Sequence, residues 1–200
     1  LLYTSVPLDR TAASATRASI DTSLWLMDPL QPEARRKVAD LPGGGWGVGG
    51  VSWDNRQIAL SNYLSANEST VWLLDLATGQ KRQLLPAAGS GQKATHLAAG
   101  FSRDDQSLFV VSDRAGEFNE MAKVDLASGT VTRITGHIPW DVAGGSLSQD
   151  GQVAALRLNE DGLGKLRLFD AQSLKELPAP ALPAGNLGAA QFHKQRRELL

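Results

Sequence analysis

Four kinds of residue in this chain have the chemistry for catalysis, ligation or modification, and spacing decides how each is read. The three histidines, His96, His137 and His193, are scattered with no metal-ligand interval between them and no H-E-x-x-H around them. They read as linker or turn residues rather than as bases or ligands. No G-x-S-x-G nucleophile elbow is present. Gly45, Gly47 and Gly50 fit G-x-G-x-x-G, the pattern of a dinucleotide loop, but such a loop follows a strand and opens a helix. Here Val51-Ser52-Trp53-Asp54 follows, a strand end and a turn, so the glycines read as an inner strand under close packing. Asn67-Glu68-Ser69 matches a glycosylation tripeptide, a short pattern that chance also produces.

The aspartates are the informative group, because they recur. Asp28, Asp75, Asp125 and Asp170 each end an apolar run: Leu24 to Asp28, Val71 to Asp75, Met121 to Asp125 and Leu166 to Asp170. They stand 45 to 50 residues apart. A second landmark keeps the same period: Val51-Ser52-Trp53-Asp54-Asn55, Phe101-Ser102-Arg103-Asp104-Asp105, Leu147-Ser148-Gln149-Asp150-Gly151 and, more weakly, Phe192-His193-Lys194-Gln195-Arg196. A carboxylate that returns once per repeat is a turn device, accepting backbone N–H bonds where the chain reverses. Gly79 and Gly129 supply the positive φ of the same turns.

Those turns must be carried by strands. Short runs rich in Val, Ile, Phe and Thr lie between Gly, Asp and Ser. A strand-rich repeat of about 45 residues is a propeller blade. The predicted fold is therefore all-β: a β-propeller fragment of about four blades, each a four-stranded antiparallel sheet. The blades fall at about 1–42, 43–86, 87–136 and 137–183, with the next beginning over 184–200, all in one domain. Leu1 to Ser5 reads as the second strand of a blade, Ser23 to Asp28 as its third, and Arg35 to Leu41 as its edge strand in preference to a helix. Val6 to Thr22, with Arg10 and Arg17, reads as a long polar connection, and Leu187 to His193 as a first-type strand. Because the ends fall inside strand-like runs, the chain reads as a piece of a longer protein.

Blade topology sends the short first-to-second and third-to-fourth turns to one face. The second-to-third connections Ser61 to Thr70, Asp113 to Glu120 and Asn159 to Gly164 go to the other, with the inter-blade links. The predicted recognition face is this second one, with Arg114, Glu117, Glu120, Glu160 and Asp161 pointing to solvent or to a partner domain. Trp46, Trp53, Trp72 and Trp140 read as packing at blade seams. No catalytic, cofactor or metal residue is assigned.

Composition narrows the partners. The 20 Lys and Arg balance 21 Asp and Glu, which argues against a nucleic-acid surface. No apolar run has the ~20 residues that span a bilayer. The absence of cysteine excludes a disulfide framework and thiolate metal sites, and leaves periplasm and cytoplasm equally open.

The strings Val111 to Glu120 (VSDRAGEFNE) and Val124 to Gly129 (VDLASG), with Leu158 to Gly162 and Leu166 to Asp170, resemble blades of the propeller in prolyl oligopeptidase family serine peptidases, above all the bacterial acylaminoacyl- and dipeptidyl-peptidase-like members. The resemblance covers nearly the whole chain. Similar strings occur in the periplasmic Tol-system propeller. The family's usual Ser-Pro-Asp-Gly turn is altered at all three sites here. The peptidase resemblance implies a propeller that restricts which peptides reach an α/β-hydrolase domain, with no catalytic residue in this stretch and no hydrolysis by this chain alone. The Tol resemblance implies a binding propeller without chemistry. Either leaves apolar faces on the terminal blades, so self-association through them is also expected.

Overall fold

The computed structural model describes residues 1–7, 20–193, 198 and 199. The expected connection through Arg10 and Arg17, and the tail from Lys194 to Arg197 with Leu200, lie largely outside these residues. The described residues contain strands and turns and no helix. The chain divides into two compact units, Leu1–Ala98 and Ala99–Leu200.

The first unit holds two sheets. Strands β1 (Leu2–Ser5), β2 (Thr22–Asp28) and β3 (Gln31–Leu41) form the first, in the order β1-β2-β3. This sheet has three strands, in the second, third and outer positions expected of the first blade. The run that competed between helix and strand is strand throughout, and it begins at Gln31 rather than Arg35. Strands β4 (Trp46–Val51), β5 (Gln57–Ser65), β6 (Glu68–Asp75) and β7 (Lys81–Leu85) form the second sheet in sequence order. Alternation along these strands turns Leu24 and Leu41 of one sheet toward Ile58, Leu60 and Leu74 of the other, all essentially excluded from solvent. Trp46 and Trp72 pack on this cluster with ring centroids 5.9 Å apart, as seam residues. The glycine-rich run has the packing role given to it: a Cβ on Gly49 would collide with Ala98.

The second unit repeats the plan. Strands β8 (His96–Phe101), β9 (Ser107–Ser112), β10 (Glu120–Asp125) and β11 (Val131–Arg133) form one sheet, β8 beginning just before the unit boundary. Strands β12 (Val142–Leu147), β13 (Val153–Glu160), β14 (Leu163–Asp170) and β15 (Glu176–Leu177) form the other. Phe109, Val111, Met121 and Ile134 of the first pack against Leu156, Leu158 and Phe169 of the second in one buried cluster. Burying a side chain of this size stabilises by about 1.5–3 kcal/mol, which is why neither sheet persists without a neighbour.

Residues 178 to 191 form no strand, contrary to the expectation over Leu187 to His193. The segment keeps the path of a first strand without its ladder. Gly164 N–H donates to Gly185 O (2.9 Å), Arg157 Nη1 to Leu187 O (3.1 Å) and Ser146 Oγ to Ala190 O (2.9 Å). At the same place in the first unit, Ser69 N–H donates to Ala94 O (3.1 Å) just before β8. His193 N–H then donates to Glu198 O (2.7 Å), the bond that closes each earlier Ser-x-Asp turn.

Candidate functional site

Antiparallel order sorts every connection to one of two ends of its sheet. At one end lie the turns with aspartate. Ser52 Oγ donates to Asp54 Oδ1 (2.7 Å) and accepts the N–H groups of Arg56 (3.1 Å) and Gln57 (2.8 Å). Ser102 with Asp104 and Ser148 with Asp150 repeat the knot, each O–H···O contact being 2.6 Å. The next residue is left-handed in all three, Asn55 at φ 60°, Asp105 at 57° and Gly151 at 69°. Asn, Asp and Gly tolerate that region best, which explains how the turn survives the loss of Gly at two sites.

The second aspartate of each blade works in the same way. Asp75 Oδ1 accepts the N–H groups of Ala77 and Thr78 and the Thr78 hydroxyl, at 2.8–3.0 Å. Asp125 and Asp170 repeat this with Ser128 and Ser173. Donors aimed at the charged form hold these carboxyls below their ordinary range: the Thr78 backbone leads at Asp75, the Ser128 backbone at Asp125 and the Ser173 backbone at Asp170. These are structural carboxylates, as their recurrence implied.

At the other end lie the second-to-third connections, and of the three that lie wholly within the described residues one is long. Ser61 to Thr70 and Asn159 to Gly164, read as loops, belong almost wholly to strands. β5 and β6 are joined through Ala66 and Asn67 alone, β13 and β14 through Asp161 and Gly162. The latter pair has φ of 49° and 79°, the geometry of a type I′ hairpin. The β9–β10 connection, 113–119, is the true loop. The inter-blade link after β11 holds it: Asn119 N–H and Nδ2 donate to Asp141 Oδ1 (2.7 and 3.3 Å), Val142 N–H donates to Asn119 O (2.8 Å), and the Phe118 and Trp140 rings lie 6.5 Å apart.

The five residues assigned to this face divide sharply. Arg114 and Glu117 are exposed on the loop and Asp161 is exposed at the hairpin tip, and none of the three forms a salt bridge with a described residue. Glu120 and Glu160 do not point to solvent. Glu120 is 7% exposed and takes a two-pronged bond from Arg133 (Nε 2.7 Å, Nη2 2.5 Å). Glu160 is half-buried and takes Arg167 Nη2 at 2.8 Å, while Arg167 Nη1 reaches Glu176 at 3.0 Å. These are cross-strand clamps inside the sheets. Strand register reveals them and sequence spacing does not: pairing Ala122 with Arg133 puts Arg133 diagonal to Glu120. Of the histidines, His96 is fully buried at the start of β8, where Ser69 Oγ accepts its backbone N–H (2.6 Å) and donates to its backbone carbonyl (2.8 Å). His137 lies in the link after β11, 3.6 Å from Glu176. Among the described residues no three His, Asp or Glu side chains converge to hold a metal, and no helix is long and apolar enough to cross a membrane.

Similarity to solved structures follows this geometry. A prolyl endopeptidase, from work on inter-domain dynamics in catalysis and specificity, superposes with a TM-score of 0.75 over 99% of this chain at 14% identity. The chain is a β-propeller fragment. Prolyl oligopeptidase B from Galerina marginata matches over 99% with a TM-score of 0.70 at 12% identity, and TolB from Acinetobacter baumannii over 78% with 0.58 at 22%. The propeller fragment spans 29%, 28% and 39% of those three chains. No family model and no curated protein matches it.

Proposed function

We propose that this propeller segment belongs to a prolyl oligopeptidase-type serine peptidase, where it restricts which peptides reach an α/β-hydrolase domain and does no chemistry itself. The observation that carries this reading is coverage: the prolyl endopeptidase accounts for 99% of the chain, TolB for 78%. The Galerina enzyme is described with a bound 35mer substrate, which supports peptides as the ligand class. In this reading the loop with Arg114 and Glu117 and the tip at Asp161 meet the peptide or the hydrolase domain. Balanced charge supports a partner other than nucleic acid.

The higher identity to TolB, 22% against 14%, supports a second reading, a binding propeller of the Tol-system type without enzymatic activity. Labelling of the full-length protein with a fluorophosphonate serine probe, together with cleavage of proline-containing peptides, separates the two. The peptidase reading expects both, and expects Arg114→Ala with Glu117→Ala to alter kcat/KM among peptides of different length. A protein with neither labelling nor cleavage overturns it in favour of the binding propeller.

A further inference from the structure

One repeat position breaks its own rule. Two residues before the turn aspartate the chain has Leu26, Leu73 and Leu168 in three sheets, but Lys123 in the third. Its cross-strand neighbour breaks the rule too. In the other two four-stranded sheets Leu73 faces Ala59 and Leu168 faces Ala155, and in the three-stranded sheet Leu26 faces Leu2, whereas Lys123 faces Phe109. The small–large pair is replaced by an aromatic ring with a lysine stem across it, the ammonium 5.9 Å from the ring centroid. Phe109 fills the core at 2% exposure, and the ammonium is carried beyond it. Local departures from a repeat that packs well elsewhere mark positions with another task.

Beyond the ring lies a cleft of about 610 Å³ in the second unit, at the turn end of its two sheets. That volume lies within the usual range for small-ligand sites, about 300–1,000 Å³. Arg103, Asp104 and Lys123 line it from one sheet, and Asp150, Gln152 and Asp170 from the other. Lys123 is half-buried there, with Asp104 and Asp125 as electrostatic neighbours but no described carboxylate in salt-bridge contact. Asp170 spends Oδ1 on its own turn, and Oδ2 takes none of those bonds. The serine donors, Ser102 O–H at Asp104 and the Ser173 backbone at Asp170, keep both carboxyls ionised. A purely anionic ligand would meet three carboxylates and a purely cationic one would meet Lys123 and Arg103. A dipolar ligand satisfies both walls.

We propose that this cleft binds a small zwitterion, an α-amino acid or dipeptide, with its carboxylate on the Lys123 ammonium and its own ammonium toward Asp170. The site is on the opposite end of the sheets from the 113–119 loop and does not depend on the peptidase reading. Isothermal titration of the full-length protein with Ala-Ala, against its N-acetylated, C-amidated form, tests it. Saturable binding of the free dipeptide alone is expected. Lys123→Leu, which restores the residue of the other blades, should weaken binding by about tenfold or more, as loss of a charge-assisted contact does. Lys123→Arg should retain binding to within about threefold, since the cation is kept. No saturation by Ala-Ala, equal binding of the blocked form, or wild-type binding by a folded Lys123→Leu protein would each overturn the proposal. If Lys123→Leu fails to fold, Lys123→Gln, which keeps the stem and removes the charge, takes its place with the same expected loss.

Discussion

The two blades of the second unit spend nearly the same length of chain in different ways between the start of their second strand and the end of their third. Ser107–Asp125 matches Gln57–Asp75 in length, and Val153–Asp170 is one residue shorter. Yet β13 and β14 run on to a two-residue turn, while β9 and β10 stop early and release residues 113–119 as a loop. The difference lies in what each segment bonds to. Asp161-Gly162 accepts left-handed φ and closes the hairpin on itself. The 113–119 loop takes its order from outside, through Asp141, Trp140 and the Arg133 clamp on Glu120. Connection length at this end is therefore set by local backbone chemistry and by the following link, while the turn end of both blades stays the same.

The largest expected effect tests what the blades share. Phe109→Ala should destabilise by about 3–5 kcal/mol, as aromatic truncation in a core does. Phe109 sits in the cluster common to both sheets, so hydrogen exchange should accelerate in β13 and β14 as well as in β9 and β10. Acceleration confined to its own blade would break the idea of a joint core. Next come paired glycine substitutions. Gly162→Ala should cost about 1–2 kcal/mol by forcing an alanine into left-handed φ. Gly116→Ala, exposed and with room for a Cβ, should stay within about 0.5 kcal/mol. Equal losses in denaturant titration would erase the distinction between hairpin and loop.

The turn ends should respond to acid alike. Asp125 and Asp170 have folded pKa values below the ordinary 3.8, so the unfolded chain takes up protons first. Their stabilisation is present above that ordinary value and is lost as pH falls through the lower folded value. Asp125→Ala and Asp170→Ala should thus melt below the wild type near neutrality, with the gap closing under strongly acidic conditions. A gap that persists there, or that differs greatly between the two variants, would count against a common device. The smallest effect belongs to the loop surface: Arg114→Ala with Glu117→Ala should leave stability within about 0.5 kcal/mol, read from thermal melts.

Strand positions and turn aspartates were legible because each is repeated and each follows from local chemistry. What was misread is polar chain inside strands. Ser61 to Thr70 looks like a loop because Asn62, Ser69 and their neighbours are polar. Asn62 is buried with its amide on Gly44 O (3.3 Å), and Ser69 is buried against the His96 backbone. A buried polar group with backbone partners is invisible to an apolar-alternation rule. Glu120 failed for a related reason: its partner Arg133 is on the next strand, and only register brings them together. Leu187 to His193 has strand-like composition, but its Leu187 and Ala190 carbonyls go to the Arg157 and Ser146 side chains instead of a ladder.

The Ser-x-Asp knot closes entirely within six consecutive residues, Ser52 to Gln57 in its first occurrence. Nothing elsewhere in the molecule has to change for such a segment to work. A gene duplication that inserts one more blade therefore brings its own finished turns, and selection is left to adjust only the seams. Mutations can accumulate at a position such as Lys123 in one copy while the others keep their leucine, so ancestry by tandem copying and later specialisation of a single copy are compatible in the same chain.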